Sequence, residues 1–301
     1  MPGMFNLCRC LPPWRYTHAA ARVELLKHAP LMKYDVFSFS SDLLTNLSLF
    51  MNTNHNLDHF TPTLLKEKIF KDPDYDEGLV ISAGLDGGFY GFAMTVLRTN
   101  GLGFIKLIAV KEETRLKGLG TTLYGILESR LKAKGCKTVR VYNSAPNYFL
   151  PGVDVRYTPA VCFFEKLGFR KYSETYNMVV ELSDGVFQAD YDDTNSKTPG
   201  FQVRRVSEGT KEKFLDFMHV YFPGWQYEAS NMLTGEEITA FIGLKGDEIA
   251  GFSGYDGNNL GTGWFGPIGV RDDYRGMGLG SILLKVCLND MKKHYTKAVI
   301  P

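Results

Sequence analysis

Arg115 opens the hexapeptide R-L-K-G-L-G, and Arg275, 160 residues further on, opens R-G-M-G-L-G. The same offset holds without a gap well outside the motif. Val110 pairs with Val270, Leu123 with Leu283, Lys137 with Lys297 and Val139 with Val299; upstream, Gly91-Phe92 pairs with Gly251-Phe252 and Gly103 with Gly263. Two unrelated turns do not keep register over about fifty positions, so the chain is an internal duplication with a domain-sized period rather than a solenoid. Its 301 residues match two domains of roughly 100–200 residues each.

Each copy concentrates glycine just ahead of an apolar helical stripe. Glycine costs conformational entropy, so bare backbone must be needed there. An anion is the usual beneficiary, because the first N–H groups of a helix lack partners and the helix dipole makes that end electropositive. A P-loop is excluded, since no lysine follows Gly280. A dinucleotide fingerprint fails as well, since Ser281 stands where its third glycine belongs. What remains is R-x-x-G-x-G, as Arg115, Gly118 and Gly120 and as Arg275, Gly278 and Gly280.

The surrounding pattern repeats too. "EGLVISAGL" and "FYGFAMTVLR" predict strands meeting in a hairpin at Asp86-Gly87-Gly88, and "GFIKLIAV" predicts a third strand running into the motif. Leu119, Leu123, Ile126, Leu127 and Leu131 predict a helix, "KTVRVYN" a strand, and "TPAVCFFEKLGF" a helix opened by Thr158 and Pro159 and stopped at Gly168. "SETYNMVVEL" reads as one closing strand. Copy two repeats the order through "SILLKVCLNDMKK", and the chain ends inside the strand that follows. The expected fold is α/β, a mixed sheet with helices on its faces in each copy.

These signals predict a tail over residues 1–31, a first domain over 32–182, an acidic linker over 183–201 and an incomplete second domain over 202–301. Residues 1–30 show no alternating strand pattern. A copy two without its last helix and strands is therefore expected to expose unpaired strand edges, as in a truncated chain. A net charge of +1 and the lack of a basic stripe interleaved with aromatics speak against nucleic acid. No apolar run reaches the roughly 18 residues of a membrane helix. Five scattered cysteines, with Cys8-Arg-Cys10 lacking a matching pair, suggest neither a metal site nor a disulfide framework, and the default location is the cytoplasm.

The duplicated strand, R-x-x-G-x-G motif and helix resemble the GNAT acyltransferase superfamily, and "AVCFFEKLGF" is similar to that family's later helix. The resemblance covers residues 60–182 and 205–301. It implies two tandem lobes and acetyl-CoA as cosubstrate. The pyrophosphate would lie on the amides of Lys117, Gly118, Gly120 and Thr121, and of Gly276, Gly278, Gly280 and Ser281, with charge from Arg115 and Arg275. Lys117 is aligned here with Gly276. The pantetheine arm would pair with the main chain of Ile108 and Val110, or of Ile268 and Val270, and an N–H there would stabilise the oxyanion.

The family's thiolate-protonating tyrosine falls on Phe164, which has no proton to give. Tyr157, Tyr148 and Cys162 are neighbouring candidates in copy one, and Glu228, beside Trp225 and Tyr227 in "YFPGWQYEASN", is the candidate base in copy two. Two classes of function stand. One is an N-acetyltransferase joining acetyl-CoA and a primary amine, on a small molecule or a protein, in a ternary complex. The other is a non-catalytic or regulatory acyl-CoA-binding protein with one or both lobes degenerate.

Overall fold

The computed structural model describes residues 3–11, 34–86, 88–183 and 200–301. The remainder of the expected tail and residues 184–199 of the expected linker lie outside the described residues. The chain divides into two compact units, Pro2–Thr175 and Tyr176–Pro301.

The N-terminal unit runs β1 Met4–Cys10, β2 Asp35–Ser38, α1 Leu44–Asn54, α2 Pro62–Phe70, β3 Val80–Leu85, β4 Gly88–Leu97 and β5 Leu102–Val110. It continues with α3 Leu119–Ala133, β6 Thr138–Val141, β7 Val153–Asp154, α4 Thr158–Lys166 and β8 Arg170–Thr175. Alternation along the strands separates two layers. Phe92, Met94 and Val96 pack with Leu47, Met51 and Leu64 of α1 and α2, whereas Ile81 and Ala93 pack with α3. On α3, Leu119, Leu123, Leu127 and Leu131 recur every fourth residue and all are buried. Each stabilises the packing by about 2–5 kcal/mol relative to alanine. Helix α2 starts where Pro62 follows Thr61, whose hydroxyl accepts from the Leu64 N–H at 3.1 Å.

The C-terminal unit runs β9 Met178–Glu181, β10 Gln202–Arg205, α5 Lys211–Tyr221, α6 Gln226–Asn231, β11 Ala240–Lys245 and β12 Glu248–Tyr255. It closes with β13 Phe265–Val270, α7 Leu279–Met291 and β14 Lys297–Ile300. Ala240, Ile242 and Leu244 face Phe214, Phe217 and Met218 of α5, while Phe241 faces Leu279 and Leu283 of α7.

The duplication survives at the level of register. Gly91↔Val110, Phe92↔Ala109 and Ala93↔Ile108 pair β4 with β5, and Gly251↔Val270, Phe252↔Gly269 and Ser253↔Ile268 pair β12 with β13. Both copies also carry a bulge at the same place. Lys106 is the extra residue of β5, and in β13 Gly266-Pro267 stand against the single residue Gly254 of β12.

Sheet order departs from the sequence expectation in two places. The N-terminal sheet reads β2-β3-β4-β5-β6-β1-β7, with β8 also on β1. Met4–Cys10, expected to be tail, is an interior strand antiparallel to both β6 and β8. Its pattern was masked by Asn6, which is 2% exposed and donates to Ser173 Oγ at 2.9 Å. A buried polar residue with a partner looks like a loop signal in sequence. The stretch "SETYNMVVEL" is two strands, β8 and β9, interrupted at Tyr176-Asn177. Strand β9 belongs to the C-terminal unit and pairs antiparallel with β14, from Lys297↔Glu181 to Ile300↔Met178. The expected bare edge on β14 is therefore covered on that side. Among the described residues, the C-terminal unit has no counterpart of α4 and β8.

Candidate functional site

In both copies the strand before the glycine motif parts from its parallel neighbour. β5 pairs with β6 from Leu102↔Thr138 to Ile105↔Val141 and then continues to Val110 with β4 alone. β13 forms no ladder with β14 among the described residues, and the parallel bridge Trp264↔Val299 lies one residue before it. The main-chain direction in the parted segments follows from one hydrogen bond in each copy. Lys111 N–H donates to Tyr90 O at 2.8 Å and Arg271 N–H to Ala250 O at 2.9 Å, both toward the paired strand. Since N–H direction alternates along a strand, the N–H groups of Ile108, Val110, Ile268 and Val270 face the opening.

Beyond each opening lies a glycine-led helix start. Gly118 and Gly278 occupy the N-cap positions of α3 and α7 at φ +89° and +84°, where a side chain is strained. At the 160-residue offset Gly276 matches Leu116, not Lys117: Gly276 has φ +78° and Leu116 has φ +62°. Lys117 and Thr121 are exposed beside the motif. First-turn N–H groups have no intrahelical carbonyl four residues back. Ser281 N–H nevertheless turns inward to Gly278 O at 3.0 Å, leaving Gly280 as the outward amide of that pair.

The two copies differ in what surrounds this frame. In the C-terminal unit a groove of about 540 Å³ follows Val270, Arg275, Gly276, Gly278 and Gly280. A second, of about 550 Å³, shares Val270, Arg275 and Gly280 with it and continues over Ile268 and Ser281 to Leu284, Ile300 and Met178. Phe222 and Trp225, between α5 and α6, form its far wall with rings stacked 5.7 Å apart at 15°. Gly269 makes room for that wall, since a Cβ there would stand 2.7 Å from the Phe222 ring. Arg275, its side chain 66% exposed, bonds Val270 O at 3.3 Å and Asp272 at 3.1 Å. Trp225, which the sequence offered as a neighbour of the candidate base Glu228, lines this groove; Phe222, Met178 and Ile300 passed as ordinary apolar residues.

In the N-terminal unit Arg115 instead donates to the Asn54 carbonyl at the end of α1, 3.0 Å away. The Phe163 ring of α4 comes within 3.4 Å of where a Cβ on Gly120 would lie. Phe164 is a core residue, 1% exposed. The bulge residue Lys106 is wholly buried and paired with Asp72, which also takes Arg98 in a fork at 2.5 and 2.9 Å. Burial pushes the Asp72 carboxyl up, but the Arg98 bonds and the Lys106 charge outweigh it and hold it below its ordinary value. Burial in turn pulls the Lys106 ammonium down to about 7.

Tyr157 donates to Asp58 Oδ2 at 2.9 Å and accepts from Leu57 N–H at 3.1 Å. Burial, then the Asp58 charge, raise its pKa, so its proton is held for Asp58. Glu228 lies on α6, 4% exposed, with the loop after β12 against it. Tyr157 belongs to the N-terminal unit and Glu228 to the C-terminal unit. Among the described residues no cluster of His, Cys, Asp or Glu suits a metal ion, and no helix is long and apolar enough to cross a membrane.

The sequence pattern of the Acetyltransferase (GNAT) family matches residues 46–169 and 207–300. The chain belongs to that family. Its solved relatives in structure include a GCN5-related glucosamine N-acetyltransferase region of a fungal multi-domain GH3 β-N-acetylglucosaminidase, with TM-score 0.71 and 17% identity. That match covers 89% of this chain and 35% of the fungal one, so this chain spans about a third of it. A GCN5-related N-acetyltransferase from Sphaerobacter thermophilus gives TM-score 0.64 at 17% identity over 90% and 86% of the two chains. A tandem GNAT protein from the clavulanic acid biosynthesis pathway gives 0.62 at 11% over 89% of each. No curated protein sequence matches. The two GNAT lobes are thus those of a family that transfers acyl groups from acyl-CoA.

Proposed function

We propose that the chain is an N-acetyltransferase that moves the acetyl group of acetyl-CoA to a primary amine in a ternary complex, and that the C-terminal unit holds the acetyl-CoA. The continuity of the two grooves carries this reading. One end offers Arg275 and glycine amides to a pyrophosphate, and the other is apolar, as an amphipathic thioester requires. The pantetheine arm lies along β13 and bonds the outward main chain of Ile268 and Val270.

The neutral amine nitrogen attacks the thioester carbon, a C–N bond forms, the C–S bond breaks, and the proton shed by nitrogen ends on the departing sulfur to give the free thiol. An N–H of β13 meets the developing oxyanion, a contribution of about 10²–10³ in rate where such donors are removed elsewhere. Glu228 and Tyr157 have no direct contact in this reading. Glu228 is buried on α6, and Tyr157 belongs to the other unit. Five free cysteines suit a reducing cytoplasm, where the substrate is also at hand.

The second reading, of a lobe without turnover, is kept for the N-terminal unit alone, as a degenerate lobe that holds no acyl-CoA. Arg115 committed to Asn54 and Phe163 over Gly120 favour it there. Thiol release from acetyl-CoA over a panel of amines tests the proposal. Amine-dependent release with an intersecting, sequential rate pattern is expected, and acetyl-CoA binding without release for any amine class would move both lobes to the second reading.

A further inference from the structure

The groove that receives the thioester has an unusual complement of side chains for an enzyme that must accept an amine. Among the described residues lining it, the polar ones are Ser281 and Arg275, and Arg275 stands at the phosphate end. Titratable groups on the surrounding elements do not line it. They include His219, hydrogen-bonded to Gln226, Tyr221, Tyr227 and buried Glu228 on the α5–α6 side, Lys285, Cys287 and Asp290 on α7, and the Lys297–Glu181 ion pair across β14 and β9. What faces the groove is aromatic and aliphatic, and much of it is open to solvent. Trp225 is 40% exposed and Met178 is 60% exposed. Exposed apolar side chains gathered around one groove mark a surface that receives an apolar ligand.

An alkylamine reaches such a groove as an ammonium ion. Stripping water from that charge without a carboxylate is expensive, and the ion reacts only after a base has taken its proton. An amine attached directly to an aromatic ring avoids both difficulties. Its lone pair is delocalised into the ring, so the group is neutral at pH 7, and its flat apolar body matches a stacked aromatic wall.

Resting on the proposed acetyl transfer in the C-terminal unit, we infer that the acceptor is an arylamine, stacked on Trp225 beside Phe222 with its nitrogen toward the main chain of β13. The balance needs no further group. The neutral nitrogen attacks the thioester carbon and becomes cationic in the tetrahedral intermediate. The C–S bond then breaks, and the proton shed by nitrogen goes to the departing sulfur, giving the amide and the free thiol.

The test compares two isomers, 4-methylaniline and benzylamine, with acetyl-CoA and the full chain between pH 6 and 9, alongside spermidine and glucosamine. At pH 7 the kcat/KM for 4-methylaniline is expected to exceed that for benzylamine by at least about tenfold. Its profile should be flat, whereas benzylamine should gain about tenfold per pH unit. Trp225→Ala should cost about tenfold in kcat/KM for 4-methylaniline, mostly through the KM of the amine, and a smaller loss, about threefold or less, in acetyl-CoA affinity by calorimetry. Phe should rescue most of that loss in Trp225→Phe. Faster turnover of benzylamine, spermidine or glucosamine at pH 7, or indifference to Trp225→Ala, overturns the inference and leaves acetyl transfer standing. A protein that binds no acetyl-CoA overturns both.

Discussion

The two copies share a register to the residue, yet the N-terminal one is fastened where the C-terminal one is open. At the bulge, copy one buries Lys106 against Asp72 and Arg98, and copy two has Gly266-Pro267, which carry no charge. At the helix start, Arg115 is tied to α1 and Phe163 closes on Gly120, while Arg275 stays in solvent and a Cβ on Gly280 would meet nothing nearer than Val270 at 3.7 Å. The residue directly after α1 is His55, packed edge-on to Tyr157 at 5.6 Å; the one directly after α5 is Phe222, lining a groove. A conserved backbone plan thus leaves the fate of each site to a handful of side chains mounted on it.

The largest effect that would break this contrast is in the fastened copy. Asp72→Asn leaves Lys106 buried without its counterion and Arg98 with Asp74 alone, and removing one partner of such a group costs about 3–5 kcal/mol. Denaturant unfolding followed by circular dichroism should show that loss in the N-terminal unit, with acetyl-CoA affinity changed less than about twofold. Loss of affinity at unchanged stability would reverse the roles of the copies.

The next effect separates the glycine loops. Gly278→Asp puts a carboxylate at the proposed phosphate site and should weaken acetyl-CoA binding by about 100-fold or more, near 2.7 kcal/mol. Gly118→Asp should leave calorimetric affinity unaltered. Equal losses in the two variants would mean that both lobes bind.

A smaller, pH-dependent difference sharpens the comparison. Burial lowers the His55 imidazole to about 4, with the nearby Arg115 charge lowering it too and the Met51 carbonyl opposing. The unfolded chain takes up that proton near the ordinary value of 6.5, the folded one only near 4. The stability is therefore fully present above pH 6.5 and lost as pH falls toward 4. Thermal melts across that window should decline in the N-terminal unit, and His55→Phe should flatten the decline. An unchanged slope in the variant would assign the acid sensitivity elsewhere.

Much of this frame can be read from the chain because its determinants are local. Glycines before a leucine stripe, and the continuous apolar run of "GFIKLIAV", need no tertiary information. The motif and the 160-residue offset led to the strands that flank the opening. The lock in copy one was not legible, because it joins Asp72, Arg98 and Lys106 from three separate segments, and a lysine in a strand predicts an exposed face. Met4–Cys10 was hidden by its buried asparagine, and the break between β8 and β9 by two apolar runs that touch in sequence. Phe222 and Met178 carried no signal at all, since a groove wall and a core residue share one alphabet.

Strand β9 gives the gene a seam in an unexpected place. The obvious point to split two copies is the polar stretch between them, yet Met178–Glu181 precedes that stretch and supplies the partner of β14. A break after residue 183 would send the strand away with the first product and leave the second with a bare ladder and a groove short of Met178. A break before Tyr176 would cut between the compact units and keep the strand with the sheet it completes. Of these two seams, only the second parts the copies without opening the β9–β14 ladder.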